Sequence, residues 1–228
     1  MDRLFLFDID GTLLMTHGAG VRGMEKAGRE IFGQSFTLGG VSIAGSLDQK
    51  IYRDAMALAG LDHDESLYER FVQRYGHHLQ NELNDTHHRP SEILPGVLPL
   101  LETLRQQTAL GLGLLTGNYA LTGPIKLRHL GIDPGWFPVA AWGDLADTRP
   151  DLVPLALEQH HRLTGRRLEG PDVVVIGDTP KDIDCAHAHG CVAVGVATGH
   201  HSLQELKDAG ADLAVESLLD PGPLLDLI

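Results

Sequence analysis

Residues 4–12 read LFLFDIDGT, a short apolar run that ends in two carboxylates, Asp8 and Asp10. An apolar run without alternating polar residues is typical of a strand that is buried on both faces of a parallel sheet. The carboxylates do not serve sheet packing, because a charge at that depth is costly unless a cation or hydrogen bonds compensate it. Either residue alone could still be a turn or capping aspartate.

Four further apolar runs predict strands of the same sheet, at 112–115, 139–141, 173–176 and 192–196. Stretches of helical length and period separate them, at 119–130, 152–163 and 180–188. Alternating strands and helices of this kind form right-handed crossovers. We therefore predict an α/β fold with a doubly wound, Rossmann-like parallel sheet, which binds its ligands at the carboxyl ends of the strands.

A long insertion separates the first predicted strand from the second. Residues 15–89 contain no strand-like run and predict helices at 21–32, 48–58 and 65–83, with glycine-containing breaks between them. We predict an all-helical cap domain at 15–89, inserted into an α/β core formed by 1–14 and 90–228. Because the insertion begins directly after the first strand, we expect it to cover the carboxyl edge of the sheet as a lid.

The composition is acidic, since 31 aspartates and glutamates outnumber 18 lysines and arginines and give a formal net charge of −13. A surface this negative repels phosphate backbones, so we expect no nucleic-acid partner and no membrane partner. No apolar stretch approaches the roughly 20 residues that span a bilayer, and no signal peptide is evident, so we expect a cytoplasmic protein. The cysteines, Cys185 and Cys191, lack the spacing of a redox or zinc motif, and we expect them in the core.

A second acidic group follows the fourth predicted strand, where residues 177–182 read GDTPKD. The ends of parallel strands converge, so Asp178 is expected near Asp8 and Asp10. Three carboxylates at one place repel one another, and an oxygen-preferring ion such as Mg²⁺ would relieve the repulsion. Asp182 has two interpretations: a metal-site residue, or the third residue of a helix that Thr179 caps.

Residues 116–118 read TGN and follow the second predicted strand, where main-chain amides and a threonine hydroxyl would form an anion site at a helix N-terminus. Arg149 could bring a positive charge to the same edge, although an isolated arginine ahead of a helix is more often solvated. Together these residues offer a metal site, an anion site, a cation and two carboxylates, which are the requirements of phosphoryl transfer.

In this combination the chain resembles the haloacid dehalogenase superfamily of hydrolases, over nearly its whole length. The four motifs that carry the resemblance appear in order as DIDGT at 8–12, TGN at 116–118, RP at 149–150 and GDTPKD at 177–182. The helical insertion resembles the cap of the phosphoglycolate phosphatase and β-phosphoglucomutase branch.

The resemblance implies a role for each motif residue. Asp8 would be the nucleophile and a Mg²⁺ ligand. Asp10 would give its main-chain carbonyl to the metal, while its side chain protonates the leaving alcohol and then activates water. Thr116 and an amide of Gly117 or Asn118 would bind the transferred phosphoryl group.

Asp178 would be the remaining direct metal ligand, and Asp182 would support the metal site. The family usually has a lysine where this chain has Arg149, and because a guanidinium is planar and larger, its contact to both Asp8 and phosphate need not be retained. Lys50, in the cap, is interpreted as a solvated residue or as a contact to the substrate phosphate.

These features predict a Mg²⁺-dependent phosphatase of small phosphorylated metabolites, similar to phosphoglycolate phosphatases, as a monomer or homodimer. A sugar-phosphate mutase is a second hypothesis, although residues 43–50 lack the arginine of mutase-like caps. A non-catalytic phosphate-binding module is a third, against which the intact Asp8 and Asp10 argue. Carbon–halogen cleavage is not expected, because the related dehalogenases have tyrosine where Asp10 stands.

Overall fold

The apolar runs form the strands of one sheet, because each run can bury side chains on both of its faces. The computed structural model describes residues 3–107 and 110–227; residues 1, 2, 108, 109 and 228, which the predicted core includes, lie outside the described residues. The elements follow one another as β1 (Arg3–Phe7), β2 (Leu14–Met15), α1 (Ala19–Phe32), α2 (Asp48–Leu58), α3 (Glu65–Leu83), β3 (Glu92–Ile93), α4 (Val97–Arg105), β4 (Leu110–Leu115), α5 (Thr122–His129), β5 (Val139–Ala141), α6 (Leu152–Thr164), β6 (Val173–Gly177), α7 (Pro180–His187), β7 (Val192–Val196), α8 (Leu203–Asp208), β8 (Leu213–Val215) and α9 (Gly222–Leu225).

The main sheet has six parallel strands in the order β5-β4-β1-β6-β7-β8. β1 therefore lies in the middle, between β4 and β6, and its carboxyl end is surrounded by the ends of its neighbours. The predicted doubly wound parallel sheet is confirmed. The sixth strand, β8, is absent from the prediction because it is only partly buried along its whole length. β5 is equally short and lies at the other edge, but Val139 and Ala141 are buried.

Helices cover both faces of the sheet, and each face has its own apolar core. Side chains alternate along β1, so that Phe5 and Phe7 pack with α4, α5 and α9, whereas Leu4 and Leu6 pack with α6, α7 and α8. Cys185 and Cys191 are buried in the second core as free thiols, as expected from their spacing.

Helices α1, α2 and α3 lie within the predicted insertion, and we call residues 19–83 the cap segment. They share a separate apolar cluster, in which Phe36, Tyr52 and Phe71 are buried. A Cβ atom at Gly23 would lie 3.0 Å from the main-chain nitrogen of Leu79, so glycine allows α1 and α3 to pack closely. None of the helices within the described ranges, α3 with its 19 residues included, has the length and apolar character to cross a membrane.

The two connections between the sheet and the cap segment are paired with each other. β2 and β3 form an antiparallel pair with Leu14 opposite Ile93 and Met15 opposite Glu92. Of this pair only Met15, the first residue of the predicted insertion, falls within 15–89. Two-residue strands have no periodic pattern, so the sequence carries no signal for them.

Candidate active site

A cleft of about 300 Å³ lies where the carboxyl ends of the central strands face the cap segment. The core contributes Asp8 and Asp10 after β1, residues 116–118 after β4, Asp178 after β6 and Gly199 after β7. The cap segment contributes several apolar side chains, among them Val21, Met24, Leu38, Ile43 and Ile51. The cleft therefore combines a polar floor, built on strand ends, with a largely apolar roof.

Asp8 is held in a fixed position directly after β1. Its main-chain nitrogen donates to the Ile176 carbonyl at 2.9 Å, and its Oδ1 accepts from the Ile9 nitrogen at 2.8 Å. Its Oδ2 lies 2.8 Å from Nη2 of Arg149. Burial raises the pKa of Asp8 to about 6, while Arg149 and a hydrogen bond from the Thr116 hydroxyl oppose the rise.

Arg149 is a buried cation that joins two of the acidic groups, so the interpretation as a solvated arginine is wrong. Its Nη2 contacts Asp8 Oδ2 at 2.8 Å and Asp182 Oδ1 at 2.5 Å, while Nη1 donates to the Gly45 carbonyl at 3.3 Å. Burial by itself would lower the pKa of Arg149, but the Asp182 and Asp8 carboxylates raise it above its ordinary value. The guanidinium stays charged, and the arginine retains the contact to Asp8.

Asp182 serves both the start of α7 and the charge network. The predicted capping of α7 is confirmed: Thr179 is the N-cap, Pro180 follows it, and the Thr179 nitrogen and hydroxyl donate to Asp182 Oδ2 at 3.0 and 2.7 Å. Since Oδ1 is bound to Arg149, both carboxylate oxygens are already engaged. These contacts favour a role for Asp182 in holding Arg149 and the start of α7 over direct contact with a metal ion.

Asp178 has the properties of a metal ligand without its ion. Asp8, Asp178 and Asp182 offer carboxylate oxygens that all lie within 4.8 Å of one another. Oδ1 of Asp178 is buried and has no hydrogen-bond partner among the residues that the structure describes. Burial raises the pKa of Asp178 to about 8, and the Asp182 and Asp8 charges add to the rise. An unpartnered buried carboxylate oxygen beside other carboxylates fits a hard cation such as Mg²⁺.

Two glycines enclose the Asp178 carboxylate. A Cβ atom would lie 1.7 Å from Asp178 Oδ2 at Gly199 and 2.4 Å from it at Gly11, whose φ of +77° also favours glycine. The close approach of these two backbone segments fixes the carboxylate from two sides.

The TGN loop, residues 116–118, forms a hydrogen-bonded turn at the end of β4. The Thr116 nitrogen donates to the Ala141 carbonyl at 3.1 Å, and the side-chain amide of Asn118 donates to the Thr116 Oγ1 at 2.8 Å. All three loop residues line the cleft, Gly117 among them.

The expected helix N-terminus is not part of this anion site. α5 begins at Thr122, later than predicted, and the amides of Tyr119 and Ala120 donate to the carboxylates of Asp48 and Asp144 at 3.1 and 2.9 Å. Because these carboxylates occupy the amides ahead of the helix, a phosphate group would be bound by the loop itself.

Asp10 contacts a cation that the sequence analysis does not identify. Its Oδ2 accepts from the Asn118 side chain at 2.9 Å and from the Lys126 ammonium group at 2.6 Å. Lys126 lies on the buried face of α5, together with Thr122 and Leu127. The sequence offers one signal, since Lys126 follows the buried Thr122 and Gly123 by four and three residues and so shares their helix face. Lysines on such a face usually extend the ammonium group to solvent, so the signal does not predict burial.

Asp48 of the cap segment is a second functional candidate that the sequence does not reveal. Its nitrogen donates to the Gly117 carbonyl at 2.7 Å, and its Oδ2 accepts from the Tyr119 nitrogen at 3.1 Å and the Thr122 hydroxyl at 3.4 Å. Burial raises the pKa of Asp48 to about 6, although the Lys126 charge opposes the rise. A cap carboxylate thus contacts the core loop that follows β4.

The loop before α2 is attached to the core by further contacts. Nζ of Lys181 donates to the Ala44 carbonyl at 2.7 Å and to the Ser46 hydroxyl at 2.8 Å. A Cβ atom at Gly117 would lie 2.2 Å from the Ser46 carbonyl, so the glycine permits this close approach. The structure therefore shows the cap segment docked against the polar floor.

Lys50 does not lie among the residues that line the cleft. It points away from the buried Ile51 and Tyr52 of α2, and its Nζ pairs with Asp54 Oδ2 at 2.6 Å on the exposed face of the helix. Its neighbours in the helix occupy the buried face, so this conformation offers no contact between Lys50 and a phosphate in the cleft.

The chain is similar to known proteins over most of its length. The model of the haloacid dehalogenase-like hydrolase family matches residues 5–196. A phosphoglycolate phosphatase of Chromobacterium violaceum is 29% identical over 161 residues, which span 69% of this chain but 65% of that protein. The phosphoglycolate phosphatase of Aliivibrio fischeri is 26% identical over 213 residues, which cover 92% of this chain and 91% of that protein.

Solved structures resemble the whole chain. A hydrolase from Pseudomonas syringae superposes with a TM-score of 0.70 at 23% identity and covers 99% of each chain. A β-phosphoglucomutase from Clostridium difficile superposes with a TM-score of 0.71 at 17% identity, over 100% of this chain and 97% of that chain. At these identities the likeness shows the fold and no more.

Proposed function

The chain belongs to the haloacid dehalogenase-like hydrolase family, and on this premise we propose that it is a Mg²⁺-dependent phosphatase of small phosphomonoesters that forms an aspartyl-phosphate on Asp8. The observation that carries the proposal is the fixed Asp8 carboxylate, which lies on the floor of the cleft beside Arg149, Asp178 and the TGN loop. The names of the relatives favour a small substrate such as 2-phosphoglycolate.

The phosphate group is bound at the floor of the cleft. The hydroxyl of Thr116 and the main-chain amide of Gly117 or Asn118 donate to its oxygens, and the Arg149 charge lies next to the nucleophile. Catalysis of phosphoryl transfer consists largely of such positioning and charge stabilisation.

Asp8 attacks phosphorus in the first step. A bond forms between a carboxylate oxygen of Asp8 and phosphorus, and the bond from phosphorus to the ester oxygen breaks. The departing oxygen takes a proton from Asp10 and leaves as the neutral alcohol.

Water completes the reaction in the second step. Asp10, now a carboxylate, removes a proton from the water molecule, whose oxygen attacks phosphorus. The bond from Asp8 to phosphorus breaks, which releases inorganic phosphate and restores the Asp8 carboxylate and the Asp10 proton.

The acidic cluster is suited to hold the Mg²⁺ ion that the family implies. Asp8 and Asp178 would bind it through their side chains and Asp10 through its main-chain carbonyl, while Asp182 would support the site through Arg149. When bound, the ion supplies positive charge that offsets the repulsion between the phosphate group and the carboxylates.

Phosphate release from a panel of small phosphoesters, measured with Mg²⁺ and with EDTA, tests the proposal. We expect wild type to release phosphate only with Mg²⁺, and Asp8→Asn to release none, since the amide is not a nucleophile. Asp184→Asn, an exposed carboxylate on α7, is the matched control and is expected to behave like wild type.

Full activity of Asp8→Asn would exclude the covalent mechanism. Conversion of a sugar 1-phosphate to its 6-phosphate without net phosphate release would assign the mutase reaction instead. Phosphoester binding in Mg²⁺ without turnover would support a binding module.

A further inference from the structure

Lys126 is the only lysine among the described residues that line the cleft. It belongs to the last turn of α5, where its neighbours Arg128 and His129 are exposed, but its own side chain is only 5% exposed. A lysine normally extends its long side chain until the ammonium group reaches water. Here the ammonium group remains inside and points at the carboxylate of Asp10.

A buried lysine is energetically costly at this position. Removal of an ammonium group from water is unfavourable, and a buried ion pair often recovers this cost without a net gain over a well-packed apolar side chain. An apolar residue at 126 would continue the buried face that Leu127 and Thr122 form. The carboxylates around Lys126 therefore account for its charge, and Asp10 is the one that it contacts directly.

The contacts to Asp10 are confined to one oxygen. Lys126 Nζ donates to Oδ2 at 2.6 Å and Asn118 Nδ2 donates to the same atom at 2.9 Å, and no described residue donates to Oδ1. The Asp10 side chain is 40% exposed, so packing alone does not fix its orientation. Two donors on Oδ2 define the plane of the carboxyl group and leave Oδ1 available in the cleft.

The cap segment also lies next to Lys126. A Cβ atom at Gly20, in the first turn of α1, would lie 3.4 Å from Lys126 Nζ and 3.3 Å from the Tyr75 hydroxyl. The first turn of α1 therefore lies beside the ammonium group, and a side chain at residue 20 would contact it.

We propose that Lys126 is a positioning residue for Asp10, which holds Oδ2 so that Oδ1 exchanges the proton with the leaving oxygen and with the attacking water. The inference rests on the proposed phosphatase mechanism. In the extended mechanism, Oδ2 of Asp10 is bound by Lys126 and Asn118, and Oδ1 transfers the proton.

The experiment compares two leaving groups in wild type and Lys126→Met. One ester is p-nitrophenyl phosphate, whose phenolate leaves without a proton. The other is the fastest-cleaved alkyl ester among 2-phosphoglycolate, glycerol 1-phosphate and glucose 6-phosphate. We expect kcat/KM of Lys126→Met to fall about 10- to 100-fold for the alkyl ester and less than about threefold for p-nitrophenyl phosphate.

Three controls separate positioning from a structural effect. Lys207→Met replaces an exposed lysine outside the cleft and is expected to match wild type for both esters. Lys126→Gln keeps a donor without the charge and is expected to lose less alkyl-ester activity than Lys126→Met. Circular dichroism verifies the folding of each variant, and the glutamine variant carries the test if the methionine variant does not fold.

The double variant Asp10→Asn/Lys126→Met tests most directly whether Lys126 acts through Asp10. If Lys126 acts through Asp10, adding Lys126→Met to Asp10→Asn causes no further loss with the alkyl ester. A further loss there, an equal loss for both esters, or a raised KM with unchanged kcat would each overturn the inference and leave the phosphatase standing. Absence of phosphate release by wild type from every ester would overturn the proposed function, and the inference with it.

Discussion

Asp48 is a buried carboxylate whose charged form is unfavourable in the folded protein. Burial raises its pKa from the ordinary value of 3.8 to about 6, although the Tyr119 amide and the Lys126 charge favour the ionised form. Between these pH values the folded protein retains a proton that the unfolded chain has lost. The stabilising contribution is complete below the ordinary pKa and disappears as the pH rises through the folded value.

The variant Asp48→Asn removes this titration and keeps an oxygen that accepts from the Tyr119 amide. We expect the Tm of Asp48→Asn minus that of wild type to increase as the pH rises from about 4 to about 6, and to level off above that range. Calorimetric melting of both proteins in matched buffers measures the difference. A difference that is independent of pH would show that Asp48 titrates normally.

Gly199 tests the proposed metal site, because it leaves no room for a side chain next to Asp178. A Cβ atom there would lie 1.7 Å from Oδ2, so Gly199→Ala must displace the carboxylate. We expect the Mg²⁺ concentration for half-maximal activity to rise by more than about tenfold. Calorimetric titration with Mg²⁺ measures binding independently of turnover.

Gly39→Ala is the matched control, since its Cβ atom would lie at an ordinary 3.4 Å from the Thr37 hydroxyl, outside the cleft. Unchanged Mg²⁺ affinity in Gly199→Ala would argue that Asp178 does not bind the ion.

The sequence predicts the site residues that follow the strands better than those that the cap segment contributes or buries. Asp8 and Asp178 follow unbroken apolar strands, and the convergence of parallel strands then places them together. Lys126 and Asp48 have no such signal, because their burial depends on the contact between α5 and the cap segment. A charged residue that a distant element buries cannot be recognised from local periodicity.

Lys181 attaches the loop before α2 to the start of α7. Its Nζ donates to the Ala44 carbonyl and to the Ser46 hydroxyl. Lys181→Met removes both hydrogen bonds, so we expect KM for the substrate to rise severalfold with a smaller change in kcat. Steady-state kinetics with the best substrate of the panel measure both constants.

Ser46→Ala removes one of these two hydrogen bonds and is expected to have the smaller effect of the two variants. Equal KM values for wild type and Lys181→Met would show that this attachment does not contribute to substrate binding.

Long buried elements are predicted well, and short or exposed ones are not. The five apolar runs become strands, and α2 and α3 have the predicted bounds, because hydrophobic periodicity specifies which residues are buried. β8 is only partly buried, and α5 begins at Thr122, later than predicted, although the Gly123 nitrogen already donates to the Tyr119 carbonyl. Local periodicity does not specify these details.

The cap segment and the core share an apolar cluster. Tyr119 follows β4 in the core, yet it is buried within the aromatic cluster of the cap segment, 6.2 Å from the Tyr75 ring. Loss of the cap cluster would therefore expose core side chains as well. We expect the two parts to unfold together.

The variant Phe71→Ala tests this coupling, because Phe71 is fully buried in the cap cluster. We expect a loss of about 3–5 kcal/mol in unfolding free energy. The two tryptophans, Trp136 and Trp142, both lie outside the cap segment, so their fluorescence reports on the core. Denaturation midpoints from fluorescence and from far-UV circular dichroism should decrease together.

Leu58→Ala is the control on the cap surface, where the side chain is 61% exposed, and is expected to change stability by less than about 0.5 kcal/mol. A tryptophan transition that does not move in Phe71→Ala would show that the cap segment unfolds on its own.

The resemblance to the family is confirmed over residues 5–196, and the two-layered helical coverage of the sheet agrees with it. This level is predictable because the order of strands, helices and motifs along the chain restricts the topology to very few solutions. The arrangement of charges inside the cleft depends on side-chain packing, which the order of the elements along the chain does not specify.

The paired strands β2 and β3 have a mechanical consequence. The two chain crossings between core and cap are hydrogen-bonded to each other, so we expect a displacement of one crossing to move the other as well. The main chain of Asp10 is itself bridged to Leu14 of β2. We therefore expect a displacement of the cap segment relative to the core to reach the main chain of Asp10, the proposed proton donor, through this bridge.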